Sequence, residues 1–160
     1  MPAYDSNKQP ASVAGNQMFS NRTIISGEIL LYNKLNVRQR RFWYVDSCEN
    51  NAVCSMEFLP YKLHQDCLKF FYYKLSTDVV VNHFIGISKG TSNSQKRISP
   101  NDFLSYVVKF PEDIAEQKAI ALVFSSIDNE IESLKEKKVK YEAIKHGMMQ
   151  QLLTGKIRLV

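Results

Sequence analysis

After Pro111 the chain contains no further proline and, before Gly155, a single interior glycine, Gly147. Over this stretch the apolar residues return in a 4-3 rhythm: Ile120, Phe124, Ile127, Ile131, Leu134, Tyr141, Met148 and Leu152. Lys138 and Lys145 occupy the two remaining positions of the seam. A period of 3.5 sustained over more than four heptads is the pattern of a helix that packs on another helix. Asp113 and Glu116 have capping-box spacing just after Pro111-Glu112. Gly155 stands where a helix C-terminus places a glycine. The pattern predicts one helix from Asp113 to Leu153, roughly 60 Å long at 1.5 Å per residue. A preceding domain of about 110 residues is too small to cover such a seam. The expected partner is therefore a second helix, from another copy or another subunit, in a two-helix coiled coil.

Residues 1–110 have a different character. Short apolar segments alternate with turn residues. Strands are expected at Glu28–Tyr32, Arg41–Val45, Ala52–Phe58 (ended by Pro60) and Tyr106–Phe110. Helices are expected at His64–Ser76, with Cys67, Leu68, Phe71 and Leu75 on one face, and at Thr77–Ile85. Ser99-Pro100-Asn101-Asp102 reads as a helix start with Pro at the first helical position. The mixture has no regular repeat. The fold class is therefore α/β or α+β over residues 1–110, followed by a long C-terminal helix and tail over 111–160.

The charge is unevenly placed. Residues 1–109 hold 13 Lys/Arg against 8 Asp/Glu, whereas residues 110–160 hold 8 of each, so the whole excess of +5 lies in the first part. Seven of the eight tyrosines and Trp43 lie there too. A basic, aromatic-rich domain suits a polyanion. Two stretches could supply the contacts. One is Lys34-Leu35-Asn36-Val37-Arg38-Gln39-Arg40-Arg41, where Lys34, Arg38, Arg40 and Arg41 suit phosphate or guanine and Asn36 and Gln39 suit adenine edges. The other runs from Lys89 to Arg97, with Lys89, Lys96 and Arg97 at its ends and Gly90, Thr91, Ser92 and Asn93 between, short enough to bring backbone N–H groups to phosphate. A solvated hairpin and a solvated loop are the plain alternatives.

Other chemistry is sparse. The sequence has no phosphate-cradling glycine loop, no G-x-S-x-G elbow, no Asn-Pro-Pro-aromatic tetrad and no nuclease-type cluster of carboxylates with lysine. No cofactor is expected and the chain reads as non-catalytic. His64 and Cys67 are spaced like half a metal site, but no second pair completes it, so no metal is expected. Three cysteines, Cys48, Cys54 and Cys67, without paired spacing suggest reduced thiols and a cytoplasmic location. The polar start from Met1 to Gln17 lacks a signal-peptide pattern, and no apolar run is long enough to span a membrane.

Several segments resemble one family. They are Phe110-Pro111-Glu112-Asp113-Ile114-Ala115-Glu116-Gln117-Lys118-Ala119-Ile120, Ile127-Asp128, and the ending Met148-Met149-Gln150-Gln151-Leu152-Leu153-Thr154-Gly155-Lys156-Ile157-Arg158. Together they resemble the C-terminal half of the specificity subunit of type I restriction–modification enzymes. Ser26-Gly27-Glu28-Ile29-Leu30, Gly90-Thr91 and Ile98-Ser99-Pro100-Asn101-Asp102-Phe103 resemble that family's target recognition domain. The resemblance covers roughly residue 15 to the end. It implies a domain that reads a few base pairs of double-stranded DNA, and a helix that sets the distance to a second such domain. It also implies binding to a methyltransferase subunit and, through it, a restriction subunit, with methyl transfer and cleavage carried out by those partners. A full subunit of this kind has two recognition domains and two helical regions. One of each implies a half-length subunit working as a homodimer, for which the two seam lysines favour antiparallel helices. The alternative is a coiled-coil assembly or inhibitory protein that binds the methyltransferase and not DNA. The seam residues Ile120, Phe124, Ile127, Ile131, Leu134, Lys138, Tyr141, Met148 and Leu152 form the expected interface in either case.

Overall fold

The computed structural model describes Lys8 and residues 10–63, 65–92 and 94–159. His64 with its half metal site, Asn93 of the second basic stretch, and most of the polar start from Met1 to Gln9 lie outside the described residues. The chain divides into two compact units, Met1–Ala121 and Leu122–Val160.

The first unit is mixed α+β. Its strands are β1 (Arg22–Ile24), β2 (Ile29–Asn33), β3 (Phe42–Val45), β4 (Val53–Ser55) and β5 (Phe58–Tyr61). The helices that follow are α1 (Leu68–Leu75), α2 (Asp78–Ile87), α3 (Pro100–Leu104) and α4 (Ile114–Leu152), the last running on into the second unit. An antiparallel three-stranded sheet has the order β3-β2-β5, and β1 pairs with β4 as a separate antiparallel ribbon.

All five residues of β2 are buried because both of its faces are covered. Successive strand residues point to opposite faces. Leu30 and Tyr32 therefore join Phe42, Leu59, Leu68, Leu75, Val80, Val81, Phe84, Ile98 and Phe103 in the main core on the helical side. Ile29 and Leu31 turn the other way, to Ile25, Cys54 and Phe58, with Trp43 packed beside them. An aromatic cluster centres on Tyr32, whose ring lies 4.3 Å from Phe42, 4.7 Å from Phe103 and 5.8 Å from Phe84. Each fully buried large apolar side chain is worth about 1.5–3 kcal/mol, so this double-sided packing carries much of the unit's stability. The Tyr32 hydroxyl is buried there without a hydrogen-bond partner among the described residues.

The structure corrects four expectations. The segment Ala52–Phe58 is not one strand. It breaks at the Met56-Glu57 turn into β4 and β5, which belong to different sheets. Pro60 does not end the strand but pairs with Leu31 inside β5, which is tolerated because β5 is an edge strand. Tyr106–Phe110 has no regular secondary structure and no ladder partner among the described residues. Its alternation is real, with Tyr106 and Val108 packed on the core and Val107 85% exposed. Tyr106 packs at a tilt against the rings of His83 at 4.6 Å and Phe84 at 5.1 Å rather than on a neighbouring strand. Helix α1 begins only at Leu68, with Cys67 at its N-cap instead of on its apolar face. Strand β1 was not foreseen. It is three residues long with Ile24 mostly exposed, so it lacks an alternating signal.

Other elements form where the sequence places them. Helix α2 starts after Thr77 with Asp78 in its first turn. At α3 the Ser99 hydroxyl accepts the Asp102 N–H at 3.0 Å, with Pro100 at the start. Asp113 caps α4, its Oδ1 accepting the Ala115 N–H at 2.8 Å. The beginning of α4 is tied into the first unit by Gln117, which is fully buried. Its amide nitrogen donates to Asp66 Oδ1 and to the Pro111 carbonyl, both at 2.9 Å, and its oxygen accepts the Cys67 N–H at 2.9 Å. This clamp explains why the compact first unit extends to Ala121, past the change of sequence character at Phe110-Pro111.

The second unit, taken by itself, is the continuation of α4 and a short tail. The helix stops at Leu152, and Gly155 takes up a left-handed φ of 73° in the turn that follows. Along its surface Lys135 pairs with Glu132 at 3.1 Å and the seam residue Lys138 with Glu142 at 3.8 Å. Among the described residues no helix is long and apolar enough to cross a membrane.

Candidate nucleic-acid interface

The two basic stretches, separate in sequence, are joined in the first unit. The chain leaves β2 at Asn33, which is buried and whose Oδ1 accepts the Leu35 N–H at 2.9 Å. This turns Lys34-Leu35-Asn36 alongside the end of the second stretch. Leu35 and Arg97 form an antiparallel bridge, and Lys89 forms another with the same Arg97. The Asn36 N–H donates to the Lys96 carbonyl at 2.8 Å and the Ile98 N–H to the Lys34 carbonyl at 3.1 Å. Lys89 and Arg97 exchange both backbone hydrogen bonds, at 2.9 and 2.8 Å. Gly90 makes the crossing possible. A Cβ on it would lie 2.7 Å from the Gln95 carbonyl oxygen and 2.9 Å from the Lys96 Cα.

The candidate side chains then sort by what holds them. The Arg97 guanidinium grips Glu57 two-handed, Nε to Oε2 at 3.2 Å and an NH2 group to Oε1 at 3.0 Å. This hydrogen bond raises the pKa of Arg97 above its ordinary value. Arg40 bonds Asp78 and reaches the Ser76 carbonyl at 3.5 Å, at the start of α2. Arg38 and Gln39 are exposed, as are Lys89 and Thr91, while Lys34, Asn36, Arg41 and Lys96 are half-buried. Val37, between Asn36 and Arg38, is buried in the main core and anchors the segment. Residues Val37–Gln39 form a single 3-10 turn.

Glu57 and Asp78 were not foreseen as part of this surface. No local pattern could reveal them, because each pairs with an arginine about forty residues distant, |i−j| being 40 and 38. They partly neutralise the patch, and they also fix its shape.

Tyr44 stands elsewhere, its hydroxyl donating to Glu28 Oε1 at 2.7 Å. Burial, reinforced by that hydrogen bond, pushes its pKa well above the usual phenol range. Burial also pushes the Cys54 thiol up, and Cys48, Cys54 and Cys67 are all free thiols. Among the described residues no three His, Cys, Asp or Glu side chains converge as metal ligands would. A pocket of about 170 Å³ in the first unit has an almost wholly apolar lining, with Tyr61, Phe71, Phe103 and Tyr106 in its walls. That lining offers packing surface rather than acid–base chemistry.

The seam residues of the second unit are solvent-facing. Phe124, Ile127, Ile131, Leu134 and Met148 are 44–54% exposed, and Tyr141 is more so. Ile120, within the first unit, and Leu152 are half-buried. No protein-family model matches the chain.

Proposed function

We propose that this protein is a non-catalytic, sequence-specific DNA-recognition subunit. It supplies one recognition domain and one spacer helix of the specificity function of a type I restriction–modification system, with catalysis left to partner subunits. The observation that carries this reading is the joining of the two basic stretches. Backbone hydrogen bonds join Lys34-Leu35-Asn36 of the first stretch to Lys96-Arg97-Ile98 at the end of the second, which supports cations from both acting on one ligand. Phosphate contacts position such a protein on a duplex, and side chains of the Arg, Asn and Gln type read base edges. The exposed seam of α4 supports the second half of the reading. A stripe containing Phe124, Ile127, Ile131 and Leu134 is stabilised when another helix covers it. The proposed occupants are a second copy in antiparallel arrangement and the methyltransferase subunit.

Selection of a randomised double-stranded library with the full chain tests the reading. The expected result is enrichment of a short motif, with affinity falling steeply as salt rises. Retention of the library without any enriched motif would sink sequence-specific recognition. Binding of a methyltransferase subunit without DNA selectivity in the assembled complex would favour the assembly or inhibitory reading.

A further inference from the structure

We infer that Arg38 and Gln39 are the base-reading pair of this surface, Arg38 taking a guanine and Gln39 an adenine, while Arg40 and Arg97 hold the surface in shape. The inference rests on the DNA reading above and adds the division of labour within it.

Three observations carry it. First, the turn bearing Arg38 and Gln39 is held on every side. Val37 is buried at 2% exposure, the Asn36 N–H is bonded to the Lys96 carbonyl, and Arg40 is bonded to Asp78 and Ser76. Second, its two flanking residues take left-handed backbone angles, Asn36 at φ 50° and Arg40 at φ 48°. The only other positive-φ non-glycine among the described residues is Lys8. Asparagine visits this region readily, but a long side chain such as Arg40 rarely does, and such a position persists where surrounding contacts impose it. Third, Arg38 and Gln39 are exposed and their side chains make no hydrogen bond or ion pair among the described residues, whereas their neighbour Arg40 is engaged. A rigid turn that carries an exposed guanidinium and an exposed carboxamide at consecutive positions is suited to reading two nearby purines. Arg can donate two bonds to guanine O6 and N7, and Gln can pair with adenine N6 and N7. Arg97, locked on Glu57, has its planar fork already occupied.

The test repeats the duplex selection with Arg38→Ala, Gln39→Ala and Lys96→Ala in the full chain. Both Arg38 and Gln39 are exposed, so these two variants should retain the wild-type unfolding transition reported by Trp43. Arg38→Ala should lose a guanine preference at one position by about tenfold or more, and Gln39→Ala an adenine preference at a neighbouring one. Lys96→Ala should keep the motif and flatten the salt slope by about one unit, as loss of a phosphate contact does. If Arg38→Ala and Gln39→Ala retrieve the complete wild-type motif, the assignment of the reading pair is overturned while DNA recognition stands. If the wild-type chain itself enriches no motif, the DNA reading falls and takes the pair with it.

Discussion

Strand β2 and the seam of α4 are both apolar stripes, and they meet opposite fates. On β2, Leu30 and Tyr32 are covered by the helices and Ile29 and Leu31 by the β1–β4 ribbon, so every residue from Ile29 to Asn33 is buried. On α4, Phe124, Ile127, Ile131 and Leu134 repeat with equal regularity and remain about half exposed. Strand β2 therefore has both apolar faces covered within the first unit, whereas the α4 stripe, taken by itself, stays open. A helix gains most of its stability from tertiary packing of an apolar face rather than from intrinsic propensity. The two units should consequently respond to different perturbations.

The largest separation is expected from Phe84→Ala. Phe84 is fully buried and packs on Tyr32, Phe103 and Tyr106. Deleting its ring should cost the first unit about 3–5 kcal/mol. Chemical denaturation followed through Trp43 fluorescence would show this. Association through the second unit should survive in conditions where the variant stays folded. Equal loss of both would break the comparison.

The converse variant is Ile131→Asp. It should leave the Trp43 transition in place and weaken association by on the order of 3 kcal/mol, because an uncompensated carboxylate enters an apolar seam. Sedimentation should show a wild-type dimer, or a stable complex with a partner, and a dissociated variant. A wild-type chain that stays monomeric and binds no methyltransferase would refute the proposed role of the seam. Lys138 bears on the geometry. It pairs with Glu142 of its own helix at 3.8 Å, so the lysines favour an antiparallel partner only to the extent that they leave this contact.

What the sequence discloses follows the range of the interactions involved. Helix α4 was legible almost to the residue because helix periodicity, the Asp113 cap and Gly155 are local signals. The α3 start at Ser99-Pro100 was legible for the same reason. Ala52–Phe58 reads as one strand in the sequence because the split into two sheets depends on where β2 and β1 lie, not on residues 52–58 themselves. Tyr106–Phe110 carries a strand's alternation, yet packing on His83 and Phe84 satisfies that pattern equally well. The basic stretches were visible as composition. Their hydrogen-bonded union at Leu35 and Arg97, and the carboxylates of Glu57 and Asp78 beside them, depend on contacts between distant residues.

Gln117→Ala sharpens the boundary between the units. The substitution removes the amide of the clamp, leaving the Cys67 N–H, the Asp66 carboxylate and the Pro111 carbonyl without their bonds to it. A buried group left unsatisfied costs about 1–3 kcal/mol, and the Trp43 transition should shift by that amount. Hydrogen exchange should quicken at the Cys67 amide while amides in the middle of α4 keep their rates. Faster exchange along the whole of α4 would mean that the clamp supports the helix beyond the first unit.

The smallest effect is expected at the centre of the core. The Tyr32 hydroxyl is buried without a partner among the described residues, so Tyr32→Phe removes an unsatisfied group and should raise stability by about 1 kcal/mol near neutral pH. Its pH dependence has a definite sign. Burial holds the Tyr32 phenol above its ordinary value of 10.0, and burial likewise pushes Tyr61 up to about 12. The unfolded chain ionises first, so the contribution of each phenol is complete below about pH 10 and is lost as pH rises through the folded value. Denaturation of the wild type should therefore become easier from about pH 10 upward. Tyr32→Phe removes one such group, so its stability should fall less steeply over that window, and its advantage over wild type should widen. Parallel denaturation series at neutral and alkaline pH measure this. Identical slopes for the two chains would show that Tyr32 ionises freely in the folded state, which is incompatible with the double-sided burial of β2.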